Sequence, residues 1–203
     1  DYYIQKGFDE NIPYAVINNG PDENIFNSSG NVAWDKQGPL KIVTHHWSDN
    51  LMKGADIYQR FDRLLDDPWM RKRFEFTYVG RLPRGIDFKN AKVVLPLAGG
   101  DLAEELKKHH VYLTAARWES CGMHQLEGAL SGLPVLYINE GGGVVETCKG
   151  YGIEFTKGNF EVSLFKMLEQ YDALQAKMKT FPFKSGIMNR RYEEFIYKVW
   201  QGK

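Results

Sequence analysis

From Leu40 onward the chain alternates short apolar runs with segments whose apolar residues return every three or four positions. The runs "LKIVTHH" (40–46), "FEFTYVG" (74–80), "KVVLPL" (92–97), "VYLTAA" (111–116), "PVLYIN" (134–139) and "GIEF" (152–155) predict strands. Several are apolar without interruption, as strands covered on both faces must be. Between them, "GADIYQRFDRLLDD" (54–67) predicts a helix burying Ile57, Tyr58, Phe61 and Leu65. "GDLAEELKKH" (100–109) predicts another, with Asp101 as its N-cap. A helix is expected from about Gly122 to Leu130, a short one over "GVVETCK" (143–149), and two more over 160–179 and 186–200. The last places Tyr192, Phe195, Ile196 and Val199 on one side and Arg191, Glu194 and Lys198 on the other. Residues 1–39 carry turn formers, "NNGPDEN" and "NSSGN", after one predicted strand, "YAVI" at 14–17. The expected organisation is a connecting segment over 1–39 and one domain over 40–203. That domain is α/β, a doubly wound, Rossmann-like parallel sheet. Such sheets bind ligands in the crevice at the carboxyl ends of their strands.

Composition narrows the partners. Lysines plus arginines and aspartates plus glutamates are equal at 26 each, which gives no reason to expect nucleic acid. The basic run "MRKR" (70–73) is expected as a solvated patch at a helix end. Two cysteines, Cys121 and Cys148, are too few for a disulfide framework or a closed thiolate metal site. No apolar run reaches the ~18 residues of a membrane span, and no signal peptide is visible. A reducing, cytoplasmic setting is the expectation, and a start at Asp1 without methionine hints at a fragment or a processed chain.

Candidate chemistry gathers around "ESCGMHQLEGALSGLPVLYINEGGGVVE" (119–146), where seven residues separate Glu119 from Glu127. Met123, Leu126 and Leu130 would form the apolar stripe of the helix, and Glu127 shares their face. A buried carboxylate is costly unless partnered. Glu127 therefore either pairs with a basic residue that spacing does not reveal or is reserved for ligand hydroxyls. Glu119 precedes the helix, where free N–H groups favour negative charge. Lys53, in "HHWSDNLMKG" (45–54), sits just before a helix and suits a phosphate, or is simply solvated. Gly54 beside it permits close backbone approach. His45 and His46 should point to opposite faces of a strand, which suits structural or ligand-lining roles better than one shared metal. His109 and His110 lie at a predicted helix end, where a cation suits the dipole. His124 faces either the site or solvent. "GGGVVE" (141–146) mimics a dinucleotide-binding turn but has Glu146 where the final glycine belongs. Neither a P-loop nor a D-x-D pair occurs, so no metal is expected.

The glutamate pair, followed by "SGLPVLYINEGGGVVE", resembles the donor-binding, C-terminal half of retaining glycosyltransferases of the GT-B fold, more narrowly family 4 (group 1). The resemblance runs through most of the chain, starting at "INNGPDENIF", which is similar to the family's "PNGVD…F" linker. It implies that Glu119 hydrogen-bonds the donor sugar and Glu127 the nucleotide ribose, while amides of Cys121, Gly122 and Met123 receive the sugar or diphosphate. Lys53 matches the lysine of the family's "GRLxxxKG" loop, which neutralises the leaving diphosphate without a metal or other cofactor. The implied donor is a UDP-, GDP- or ADP-linked sugar. The acceptor, a glycan, lipid or small molecule, would be held by an N-terminal domain outside this chain. That domain would also provide any peripheral membrane contact, and the fragment alone would transfer little. The final helix would cross back toward it.

The chain also departs from the family. The loop arginine, five residues before the lysine, falls on Ser48, and Arg81 in "VGRLP" (79–83) is the candidate to replace it in space. "AARWESCG" stands where the family has "PS-x-x-EGFG", so Ser120 and Cys121 alter the surface near the sugar. Base contacts are expected from backbone around Leu95–Leu97 and near Arg81. Alternatives are a sugar-nucleotide epimerase of the same fold, a non-catalytic nucleotide-binding module, and, third, a dehydrogenase.

Overall fold

The computed structural model describes residues 5–7, 9 and 11–202. Six strands form one parallel sheet: β1 (Leu40–His46), β2 (Phe74–Gly80), β3 (Lys92–Val94), β4 (Val111–Thr114), β5 (Val135–Ile138) and β6 (Gly152–Phe155). Their order is β3-β2-β1-β4-β5-β6, so the direction of winding reverses between β1 and β4. The helices are α1 (Ala55–Leu64), α2 (Pro68–Arg71), α3 (Gly99–Leu106), α4 (His124–Leu130), α5 (Gly143–Cys148), α6 (Phe160–Met178) and α7 (Ser185–Gln201).

Two apolar layers cover the sheet. On one face Ile42, Phe76, Leu113 and Leu136 pack against Tyr58 and Phe61 of α1 and Phe160 and Leu164 of α6. On the other, Val43, Val79, Tyr112 and Val135 meet Leu102 and Leu106 of α3, Leu126 and Ala129 of α4, and Val144 of α5. The continuous apolar runs follow from this double covering. Asp62 of α1 is buried, and its carboxylate accepts from the N–H groups of Lys89 (2.9 Å), Asn90 (2.8 Å) and Ala91 (2.7 Å). One side chain thereby fixes the turn that feeds β3.

Several expectations are corrected. "YAVI" forms no strand, and Tyr14 and Val16 are 54% and 76% exposed. Asp101 is not the N-cap of α3. Ala98 is, without a side-chain cap, and Asp101 lies inside the first turn, where its charge still suits the dipole. The basic run coincides with the end of α2, whose Met70 is buried in the core while Arg71 and Lys72 are exposed. α4 starts at His124 rather than Gly122. His109 and His110 are not helix-end cations: both are buried, and burial lowers each to about 4, so both are neutral. His109 bonds the Glu105 carbonyl through Nδ1, and Nδ1 of His110 accepts from the Lys41 N–H. In α7, Phe195 and Val199 are half-buried and Tyr192, Ile196 and Trp200 exposed. No helix of the described residues is long and apolar enough to cross a membrane.

Asp62→Ala should strip three N–H groups of their acceptor and lower unfolding free energy by about 2–4 kcal/mol, read as a lower urea midpoint. The two buried histidines also set a pH dependence. Their folded values lie below the ordinary 6.5, so between pH 6.5 and 4 the unfolded chain binds protons that the folded chain refuses. Their effect on stability is absent above 6.5 and grows as pH falls. The urea midpoint should drop between pH 7 and pH 4.5, and a flat profile there would contradict the assignment.

Candidate functional site

Where the winding reverses, the loops after β1 and β4 diverge and leave a cleft of about 270 Å³. The sequence-predicted residues Ser48, Lys53, Glu119, Cys121, Gly122, Met123 and Glu127 all line it, joined by His45, His46, Trp47 and His124. Arg81 does not: it follows β2, is exposed, and its carbonyl accepts from the Tyr78 hydroxyl at 3.1 Å. Leu95 and Leu97 also lie outside the cleft lining.

Lys53 ends a single 3-10 turn, Leu51–Lys53, capped by the Asn50 carboxamide oxygen, which accepts from the Met52 N–H at 2.9 Å. Gly54 follows with φ +96°, and a Cβ there would lie 2.4 Å from Ala115 Cβ, so the β1 and β4 loops touch through a residue that must be glycine. The guanidinium of Arg117 grips both carboxylate oxygens of Asp56 at 2.8 Å and lies 3.1 Å from Glu140. Its backbone N–H donates to Met52 (2.9 Å), and Trp118, at φ +58°, donates to Glu140 (3.1 Å). The Glu119 carbonyl accepts from the Gly143 N–H at 2.8 Å. The glycine-rich stretch that mimics a dinucleotide turn therefore serves to brace Glu119. Three loops are bound into one frame.

Within that frame, Lys53 pairs with Glu119. Glu127 also has a partner: His45 Nε2 lies 2.8 Å from its carboxylate, although the two residues are 82 apart in the chain. Tyr112 determines the tautomer. Its hydroxyl accepts from the His45 N–H (3.3 Å) and lies 3.1 Å from His45 Nδ1. Burial raises the phenol well above its ordinary value, so it stays protonated and donates to Nδ1. The imidazole proton then sits on Nε2 and points at Glu127. His124 faces inward, 9% exposed, with Nε2 2.9 Å from the Thr114 hydroxyl. Burial, helped by neighbouring imidazoles and Lys53, holds His46 and His124 well below the usual histidine range, so both are neutral. The N–H groups of Cys121, Gly122 and Met123 make no hydrogen bond to the described residues. Among those residues no group of three or more His, Cys, Asp or Glu side chains is arranged to hold a metal.

Sequence reasoning located the carboxylates, the lysine and the amide loop but not the His45–Tyr112 support or the Arg117 clamp. Both arise between residues distant in the chain. The signal for the first was a buried-face glutamate needing a partner.

A doubly wound parallel sheet of this order, with its polar cleft at the reversal, matches solved GT-B glycosyltransferases and has their fold. A glycosyltransferase from Rickettsia africae ESF-5 superposes over 100% of this chain and 62% of its own, with TM-score 0.70 and 16% identity. The lipopolysaccharide outer core galactosyltransferase WaaB, in its apo form, matches over 97% of this chain and 58% of its own (TM-score 0.68, 12% identity). The pneumococcal O-GlcNAc transferase GtfA, in complex with UDP and GlcNAc, matches over 91% and 38% (TM-score 0.62, 13% identity). The chain thus spans less than two thirds of each. No protein-family model matches the sequence, and neither does any curated protein.

Tyr112→Phe should leave the core filled but strand His45 Nδ1 and the His45 N–H, lowering unfolding free energy by about 1–3 kcal/mol in urea titration.

Proposed function

We propose that this chain is the nucleotide-sugar donor-binding half of a retaining, family 4 glycosyltransferase, working with an acceptor domain outside the chain. One observation carries the reading: Lys53, Glu119, Glu127 and the unpartnered amides of 121–123 converge from separate loops on one cleft at the strand-order reversal. The similarity in fold to glycosyltransferases, one of them solved with UDP, supports it.

In this reading Glu127, aimed by His45, accepts hydrogen bonds from the ribose hydroxyls, and the amides of Cys121, Gly122 and Met123 receive the diphosphate or sugar. Lys53 exchanges Glu119 for the diphosphate as the ligand enters. Glu119, released, turns to the sugar hydroxyls. Charge then develops on the leaving diphosphate, and Lys53 with the three amides stabilises it in place of a metal. The sugar passes with retained configuration to a glycan, lipid or small-molecule acceptor held across the cleft. Ser48 adds a hydroxyl where a cation would otherwise stand. Arg81 lies outside the cleft lining.

Calorimetric titration of the chain with UDP, GDP, ADP and their common sugars tests this. One nucleotide should bind selectively, and Glu127→Ala and Lys53→Ala should each weaken it at least about tenfold, since each removes a charged hydrogen bond. Binding that survives both substitutions would place the ligand elsewhere.

A further inference from the structure

His46 and His124 lie side by side in the cleft, ring centroids 5.0 Å apart, 4% and 9% exposed, and neither has a role in the reading above. Hydroxyl groups meet Nε2 of both rings. The Tyr58 hydroxyl accepts from the Ala115 N–H at 3.0 Å and from the Thr44 hydroxyl at 3.2 Å. It lies 2.7 Å from His46 Nε2, which is also 3.2 Å from the Thr44 hydroxyl. With a hydroxyl proton turned onto Nε2, the neutral imidazole carries its own proton on Nδ1. The same argument holds for His124. The Thr114 hydroxyl accepts from the Ala116 N–H (3.3 Å) and lies 2.9 Å from His124 Nε2, and its proton turned onto that nitrogen leaves the ring proton on Nδ1. Neither Nδ1 has a hydrogen-bond partner among the described residues, and neither is a sealed, unsatisfied atom. Both residues line the cleft.

Two buried hydroxyls thus orient two neutral imidazoles so that each presents an N–H outward. In that arrangement each ring offers an N–H that no acceptor among the described residues takes. The other charged side chains of the cleft are Lys53 and two carboxylates, with Lys53 already paired to Glu119 and Glu127 to His45. A ligand bearing several anionic oxygens needs more donors than one lysine provides, and Ser48 brings no charge. We propose that His46 and His124 donate Nδ1–H to phosphate oxygens of the ligand, making the diphosphate subsite of this cleft depend on neutral imidazoles. The proposal rests on the nucleotide-sugar reading and assigns it two further binding residues.

The test is calorimetry with nucleoside diphosphates (UDP, GDP, ADP), their nucleosides and inorganic pyrophosphate, on the chain and on His46→Phe, His46→Asn, His124→Phe and His124→Asn. Phenylalanine keeps the ring volume and loses the donor. Asparagine places an amide N–H close to the Nδ1 position. Each phenylalanine variant should weaken diphosphate and pyrophosphate about tenfold, leave nucleoside affinity unchanged, and be largely rescued by asparagine. Long-range 15N–1H spectra of the unmutated chain at pH 7.5, which do not depend on how the variants fold, should show both protons on Nδ1. Diphosphate binding unchanged in both phenylalanine variants would overturn the proposal while leaving the nucleotide-sugar reading intact, as would protons on Nε2. Failure of the unmutated chain to bind any of the nucleoside diphosphates would overturn both.

Discussion

β1 and β4 stay in register over only two residue pairs, Ile42 with Val111 and Val43 with Tyr112. Beyond them the winding of the sheet turns in opposite directions, and the strand ends must satisfy their polar groups without a full ladder. Thr44, His45 and His46 on one side and Ala115 on the other do so through two tyrosine hydroxyls. Tyr58 comes from α1 on one face of the sheet, and Tyr112 points from β4 to the other. The cleft therefore opens beyond strand ends whose polar groups are already hydrogen-bonded.

Charge follows the same economy. Each ionised side chain in the cleft has a protein partner: Lys53 and Glu119 pair with each other, and the Glu127 carboxylate meets His45 Nε2. Desolvating charged groups is expensive when they are single and tolerable when they are paired. A charged ligand that enters must replace these ion pairings, so the charged part of its affinity is a difference between two sets of good contacts. Selectivity follows from that difference, because a ligand lacking the right oxygens breaks pairs and restores none.

Much of the architecture was legible because parallel strands covered on both faces read as plain apolar runs, and the reversal point follows from fold class. Glu127 was legible because three- and four-residue spacing set it on a buried face. Its hydrogen-bond partner was not, since His45 is brought there by sheet pairing and no local pattern encodes that. His109 and His110 misled for a related reason: their position at a helix end suggested cations, but burial decided their protonation. "YAVI" had the composition of a strand but joins no strand of the sheet. Arg81 shared letters with a motif, yet the loop that carries it leaves from β2, one strand removed from the crevice.

The loops around the cleft touch one another through main chain. Gly54 lies against Ala115, and a Cβ on Gly143 would meet the Ser120 carbonyl oxygen at 2.6 Å. A frame closed by backbone contacts holds its outline whatever side chains project from it. Positions such as Ser48, Ser120 and Cys121 can then be exchanged one at a time, altering what the cleft recognises while its shape persists. A scaffold of this kind keeps inheritance of form separate from variation in recognition, and chains with as little as 11% identity share this one's fold.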